Sequence, residues 1–258
     1  VVDELLERFL QQRPDIRIAV LAVDPTRRKT GGALLGDRIR MNSLTSANFY
    51  MRSMATRRQH LATNKVLGDV ALYLRSVGYD LVLVETAGIG QSDSQIVDVV
   101  DLSIYVMTSD YGAATQLEKI DMIDYADVVI LNKFEKRGSE DALRDIRKQW
   151  QRNHNAFGLP LDEIPVYSTI ASQFNDPGLN YAFYSLCRLL VDKKKLDASV
   201  WIPAVKVFPK NSKSVVLIPE NRIRYLADIS EQGRQIRSRN LHQTELASEA
   251  FQSYRMLL

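Results

Sequence analysis

Five short stretches carry residues able to act on a phosphate and a base. The first, Glu85-Thr86-Ala87-Gly88-Ile89-Gly90-Gln91-Ser92, follows the apolar run Leu81–Val84. A carboxylate at a strand end can hold magnesium or its water shell. Glycines beside it let the backbone approach a terminal phosphate and move when that phosphate leaves. Glu85 is therefore a candidate for metal binding and catalysis, and Gly88 a candidate nucleotide contact. Gln91 is placed in sequence either to orient a water or to make an ordinary loop hydrogen bond.

Asp24-Pro25 closes the apolar run Arg17–Val23. Asp24 reads as a magnesium-shell or switch carboxylate, or as the cap of a turn, which Asp before Pro often supplies. The stretch from Lys29 to Arg40 has Gly31, Gly32 and Gly36 ahead of Asp37. Such a segment can reshape around a magnesium-bound phosphate or be a surface loop. Asn132-Lys133-Phe134-Glu135 follows Val128–Leu131, and Ser168-Thr169-Ile170-Ala171 follows another short strand candidate. Asn132, Lys133 and Glu135 can bond or pack against a ligand beyond the strand end, although either stretch is also compatible with a simple turn. The phosphate cradle Gly-x-x-x-x-Gly-Lys-Ser/Thr occurs nowhere in the 258 residues.

These segments require elements to position them. Residues 2–12 read as an amphipathic helix ending before Pro14, with Leu5, Leu6, Phe9 and Leu10 at helical spacing. Continuous apolar runs predict buried parallel strands at 17–23, 80–85, 102–107 and 127–132, with a last short strand at 164–168. Residues 58–77 have helical character, with Gly78 as a natural stop. Strands alternating with helices predict a doubly wound, mainly parallel α/β domain whose ligand site lies beyond the strand carboxyl ends. After about Lys195 the pattern changes. A short Pro-punctuated apolar stretch, Trp201 to Leu217, precedes a long charged helical segment from Pro219 onward. Residues 1–197 are thus read as the main domain and 198–258 as a helical linker or docking segment.

Composition narrows the function further. With 34 basic against 31 acidic residues the net charge is +3, and the basic residues are scattered, so nucleic acid is not an expected partner. The single Cys187 allows no internal disulfide, which suits a reducing cytoplasm. His60, His154 and His242 lack metal-ligand spacing. No apolar run approaches the roughly 20 residues that span a bilayer. Val1–Leu10 is amphipathic and acidic, unlike a signal peptide. A start at Val suggests a piece of a longer chain.

Taken in order, the segments resemble the metallochaperone-type P-loop GTPases that serve adenosylcobalamin-dependent acyl-CoA mutases, the group of MeaB, ArgK and the methylmalonic aciduria type A protein. The strings that carry the resemblance are Val23-Asp24-Pro25, Lys29 through Met41, Glu85 through Ser92, and Asn132-Lys133. Tyr111–Met122, Ala171–Gly178 and Arg222–Ala227 look like one subgroup, the fused isobutyryl-CoA mutases. In these the GTPase is inserted between cobalamin-binding and substrate-binding mutase domains. The resemblance covers nearly the whole chain.

The resemblance implies that Asp24, Asp37 and Glu85 are magnesium or switch carboxylates. It makes Asn132, Lys133 and Glu135 the base-recognition motif, with Glu135 standing where GTPases carry Asp, and it sets Ser168 and Thr169 beside the guanine. Residues 111–122 match a further switch loop that signals to the mutase, with Gln116, Lys119 and Asp121 as its candidates. The Walker A loop of the family immediately precedes a helix like 2–12, so the first strand and that loop are absent from this sequence. The implied function is hydrolysis of GTP to GDP and phosphate with Mg2+, gating the loading and repair of adenosylcobalamin. The parent would isomerise isobutyryl-CoA and n-butyryl-CoA, as a cytoplasmic homodimer without a membrane partner. Two other readings stay open: a catalytically silent module that docks mutase domains, and a related GTPase of nickel insertion, whose usual His/Cys sites are missing here.

Overall fold

The fold is seen in a computed structural model, which describes residues 1–25, 41, 43, 46–56, 60–86, 94–111, 117, 122–204, 212 and 225–257. Helix α1 (Val2–Gln12) buries Leu5, Leu6 and Phe9, and Arg13 is extended ahead of Pro14. Strand β1 (Ile18–Pro25) is buried from Ile18 to Val23, as its unbroken apolar run requires. It pairs in parallel with β2 (Phe49–Thr56) on one side and β3 (Leu81–Thr86) on the other. A second parallel sheet has the order β4 (Ile104–Thr108), β5 (Val128–Asn132), β6 (Val166–Ser168).

Two differences from the sequence reading have physical causes. Strand β2 has no continuous apolar run; it carries Arg52 and an exposed Tyr50, because it borders the first sheet and pairs only with β1 among the described residues. Strands β3 and β4 are largely half-buried, whereas their sequences predict full burial. Each pairs on one side only among the described residues, so one edge lacks the covering that β1 and β5 receive.

Helices supply the layers. Helix α2 (His60–Ser76) leads from β2 to β3, and Gly78 at φ +89° donates its N–H to Arg75 O after the last turn, a left-handed stop that Gly adopts at little cost. Helix α3 (Met122–Tyr125) is a single turn before β5. Helix α4 (Ser139–Asn153) packs Ala142, Leu143 and Ile146 against Val129, Leu131 and Val166. Helix α5 (Pro177–Lys194) joins α1 through Phe183, whose ring meets Phe9 edge to face at 4.8 Å. Their shared cluster includes Leu81 and Leu83 of β3 together with Leu102 and Ile104 at β4. One helical layer therefore covers strands of both sheets. Helix α6 (Ala198–Trp201) follows.

The chain divides into two compact units, Val1–Ser214 and Val215–Leu258. The second is built on α7 (Tyr225–Met256), and all its side chains described from Ile229 onward are exposed. Among the described residues, no helix is long and apolar enough to cross a membrane.

Candidate functional site

Parallel pairing gathers the candidate residues at strand ends. In the first sheet Ala22 is the register partner of Glu85 and Val23 that of Thr86, so the backbone of Asp24 lies one residue beyond the paired segment. Glu85 is half-buried, with Oε2 shielded from solvent. Magnesium is a hard cation that takes one or two carboxylates plus water and phosphate oxygens. A shielded carboxylate beside the strand that leads into Asp24 fits that demand. Among the described residues no group of three His, Cys, Asp or Glu side chains could hold a metal by itself.

The second sheet is built in more detail. Register sets Thr108 beside Asn132 and Leu131 beside Ser168. Past these ends the loops after β5 and β6 continue to bond to each other. Thr169 donates its N–H to Leu131 O at 2.9 Å, and Phe134 donates its N–H to Thr169 O at 3.1 Å. Asn132 Oδ1 accepts from the Thr169 hydroxyl at 3.2 Å and from the Ala171 N–H at 3.1 Å. Both bonds fall on Oδ1, so the orientation of the Asn132 amide is fixed by the neighbouring loop.

Lys133 follows in the left-handed region at φ 57°, unusual for a residue with a β-carbon, and closes a turn in which Lys136 N–H bonds Lys133 O. That conformation costs on the order of 1 kcal/mol and tends to cluster at ligand-binding positions. Lys133 and Glu135 are both exposed, so their long side chains are open to solvent above the interlocked loops. Ser168 and Thr169, by contrast, are fully buried and support the loop from within.

Sequence reasoning assigned no role to four further residues, Asp176, Ser212, Lys136 and Asp110. Asp176, fully buried, caps α5 by accepting from Leu179 N–H at 2.8 Å. The same oxygen, Oδ2, accepts the Ile170 N–H at 3.1 Å and the Ser212 hydroxyl at 2.8 Å. The Asp176-Pro177 pair is a legible helix-start signal; Ser212 carries none. Lys136 forms an exposed ion pair with Asp110 at 2.5 Å, joining the loop after β5 to the 3-10 turn Ser109–Tyr111 after β4. The Lys136 ammonium and then the Thr108 hydroxyl, both bonded to Asp110, hold its carboxyl below the usual range.

Several candidates have no described structure. Gly88, Gln91, Asp37, Gln116, Lys119 and Asp121 lie outside the described residues, as does the side chain of Asp24.

Comparison with known proteins adds independent information. A protein-family model described as methylmalonyl Co-A mutase-associated GTPase MeaB matches residues 1–251. A fused isobutyryl-CoA mutase of Geobacillus kaustophilus is 50% identical over 252 residues, covering 98% of this chain and 23% of that protein. One from Nocardia farcinica is 46% identical over 249 residues, covering 96% and 23%. A putative GTPase of Pyrococcus horikoshii is 37% identical over 139 residues, 53% of this chain and 44% of that one. The chain spans under a quarter of the length of the fused mutases it matches.

Proposed function

Since the chain belongs to the MeaB family of methylmalonyl-CoA mutase-associated GTPases, we propose that it is the part of a longer acyl-CoA mutase that hydrolyses GTP to GDP and phosphate. The interlock of Asn132 with Thr169 and Ala171 carries this reading. It gives a rigid, oriented amide at the end of a central strand, beside an exposed Lys stem and an exposed acid, which is the set of groups a guanine needs. Asn132, Lys133 and Glu135 bind the base, while Ser168 and Thr169 set the shape of the pocket floor. Glu85 and Gln91 act at the phosphate end: Glu85 holds the metal-water shell and Gln91 orients the attacking water. Magnesium, held by Glu85 with Asp24 and Asp37, would neutralise phosphate charge.

The half-covered strands β3 and β4 support one further proposal. The strand and Walker A loop that the family resemblance puts ahead of Val1 run between them, completing one sheet and supplying the cradle for the β- and γ-phosphates. Residues 1–197 are then the GTPase domain without that loop, and 198–258 its linker to mutase domains of the same polypeptide. Those domains bind adenosylcobalamin and isomerise isobutyryl-CoA and n-butyryl-CoA. The nucleotide cycle gates cofactor loading and repair through Gln116, Lys119 and Asp121, in a cytoplasmic homodimer.

The test is turnover of GTP and ATP by the protein extended upstream of Val1. GTP hydrolysis well above ATP hydrolysis is expected; no turnover, or equal turnover of both, sinks the reading. In the same protein Glu85→Ala should lower kcat by roughly tenfold or more while GDP affinity changes by less than about threefold. Unchanged kcat would remove Glu85 from the metal shell. The exposed face of α7 favours a second reading, a silent docking module, which predicts no turnover but retained association with the mutase domains.

A further inference from the structure

Ser212 stands far in sequence from the loops that shape the base pocket, yet it is nearly fully buried against them. Its hydroxyl donates to Asp176 Oδ2 at 2.8 Å and lies 2.9 Å from Ser168 O; its N–H donates to Ser168 Oγ at 3.1 Å. A single hydroxyl hydrogen serves those two acceptors, so Asp176 and Ser168 O share it. Asp176 Oδ2 also holds the Ile170 N–H, inside the Ser168–Ala171 loop whose Thr169 and Ala171 grip Asn132. The other carboxylate oxygen, Oδ1, is buried with no hydrogen-bond partner among the described residues. Loss of any donor on Oδ2 therefore leaves a buried carboxylate under-satisfied and the Ile170 end of the loop loosely held. Packing leaves no slack: a β-carbon on Gly178 would fall 2.1 Å from Ser212 Oγ and 2.2 Å from Ser168 O.

We propose that Ser212 is a positioning residue for the nucleotide base, a strap that acts through Asp176 and the Ile170 amide to hold the Ser168–Ala171 loop against Asn132. It deepens the proposed guanine site and rests on that reading. Ser212 lies near the end of the first compact unit, and base occupancy and the hold on Ser212 are linked. By reciprocity, a bound guanine nucleotide tightens the strap by the same factor as the strap tightens the nucleotide.

The experiment uses the parent protein carrying Ser212→Ala, with Asn132→Ala as the reference for the base site. Hydrogen exchange at the Ile170 amide without nucleotide reads the strap alone, and it should speed up by about tenfold in Ser212→Ala. GDP binding should weaken by about fivefold to tenfold with kcat for GTP unchanged, a split that general destabilisation would not produce. In the wild type, GDP should slow exchange at the Ser212 amide. Unchanged Ile170 exchange overturns the strap outright. Faster exchange with wild-type GDP affinity overturns its role in binding, provided Asn132→Ala weakens GDP. If Asn132→Ala also leaves affinity intact, the base-site reading itself has failed and the proposal falls with it. Should Ser212→Ala not fold, Ser212→Cys keeps a weak donor of similar size and is judged by the same three readouts.

Discussion

Cys187 shows burial alone silencing a nucleophile. It lies fully buried on α5, and burial pushes its thiol up to about 12 from 9.0. The folded value is above the unfolded one, so the stability it contributes is complete below the unfolded value and is lost as pH rises through the folded one. At pH 8 iodoacetamide should label the native protein roughly 1,000-fold more slowly than the denatured chain, following the thiolate fraction. Comparable rates by mass spectrometry would mean that the helix opens readily. Asn132 is the opposite case, a half-buried side chain whose Oδ1 accepts from two donors of the neighbouring loop. Asn132→Ala removes one acceptor shared by two donors; a loss of about 1–3 kcal/mol in urea unfolding is expected. It should weaken GDP binding by about tenfold or more, measured by titration calorimetry. The strand-end position of Asn132-Lys133 was legible because an apolar run leads directly into it. Asp176 was legible only as a helix start, and its contact with Ser212 was not legible at all, because the two meet across 36 residues of sequence and no local pattern records such a contact.

At the scale of elements, apolar runs gave β1 and β5 to within a residue or two, because both strands are covered on each side. Strand β2 escaped because an edge strand needs no such run, and the interior-like sequences of β3 and β4 exceed the burial they receive here. Helix α5 illustrates local propensity being overruled. Replacing Gly178 by Ala within a helix would ordinarily stabilise by up to about 1 kcal/mol. Here the added carbon would meet the backbone oxygen of Ser168 at 2.2 Å, which cannot swing aside as a side chain could. Gly178→Ala should therefore destabilise by about 1–3 kcal/mol, read from the urea midpoint at constant m-value. A midpoint equal to or above wild type would show that the loop yields easily. That result would also weaken the case for a tight strap.

At the scale of the molecule, every buried hydrophobic side chain of the four core clusters lies between Leu5 and Leu190, inside the first unit. Ending the chain after Ser214 should shift the thermal midpoint by no more than about 2 °C. A larger fall would reveal support from the second unit. The α/β class was readable because it follows from pattern, as was the position of Glu85 and Asn132 at strand ends. Division at Ser214 was not, since it depends on which side chains meet in space. The second unit has its own geometry. Along α7, at 100° per residue, Ile229, Ile236, Phe251 and Tyr254 fall on one face within about 60°, and all four are at least 48% exposed. Deleting seven residues between Ile236 and Phe251 would shorten the helix by about 10 Å yet return the stripe to within about 20° of its original line. Deleting a single residue would shorten it by only about 1.5 Å but swing the Phe251 end through about 100°. The alignment of these four side chains therefore depends on rotational phase more than on length.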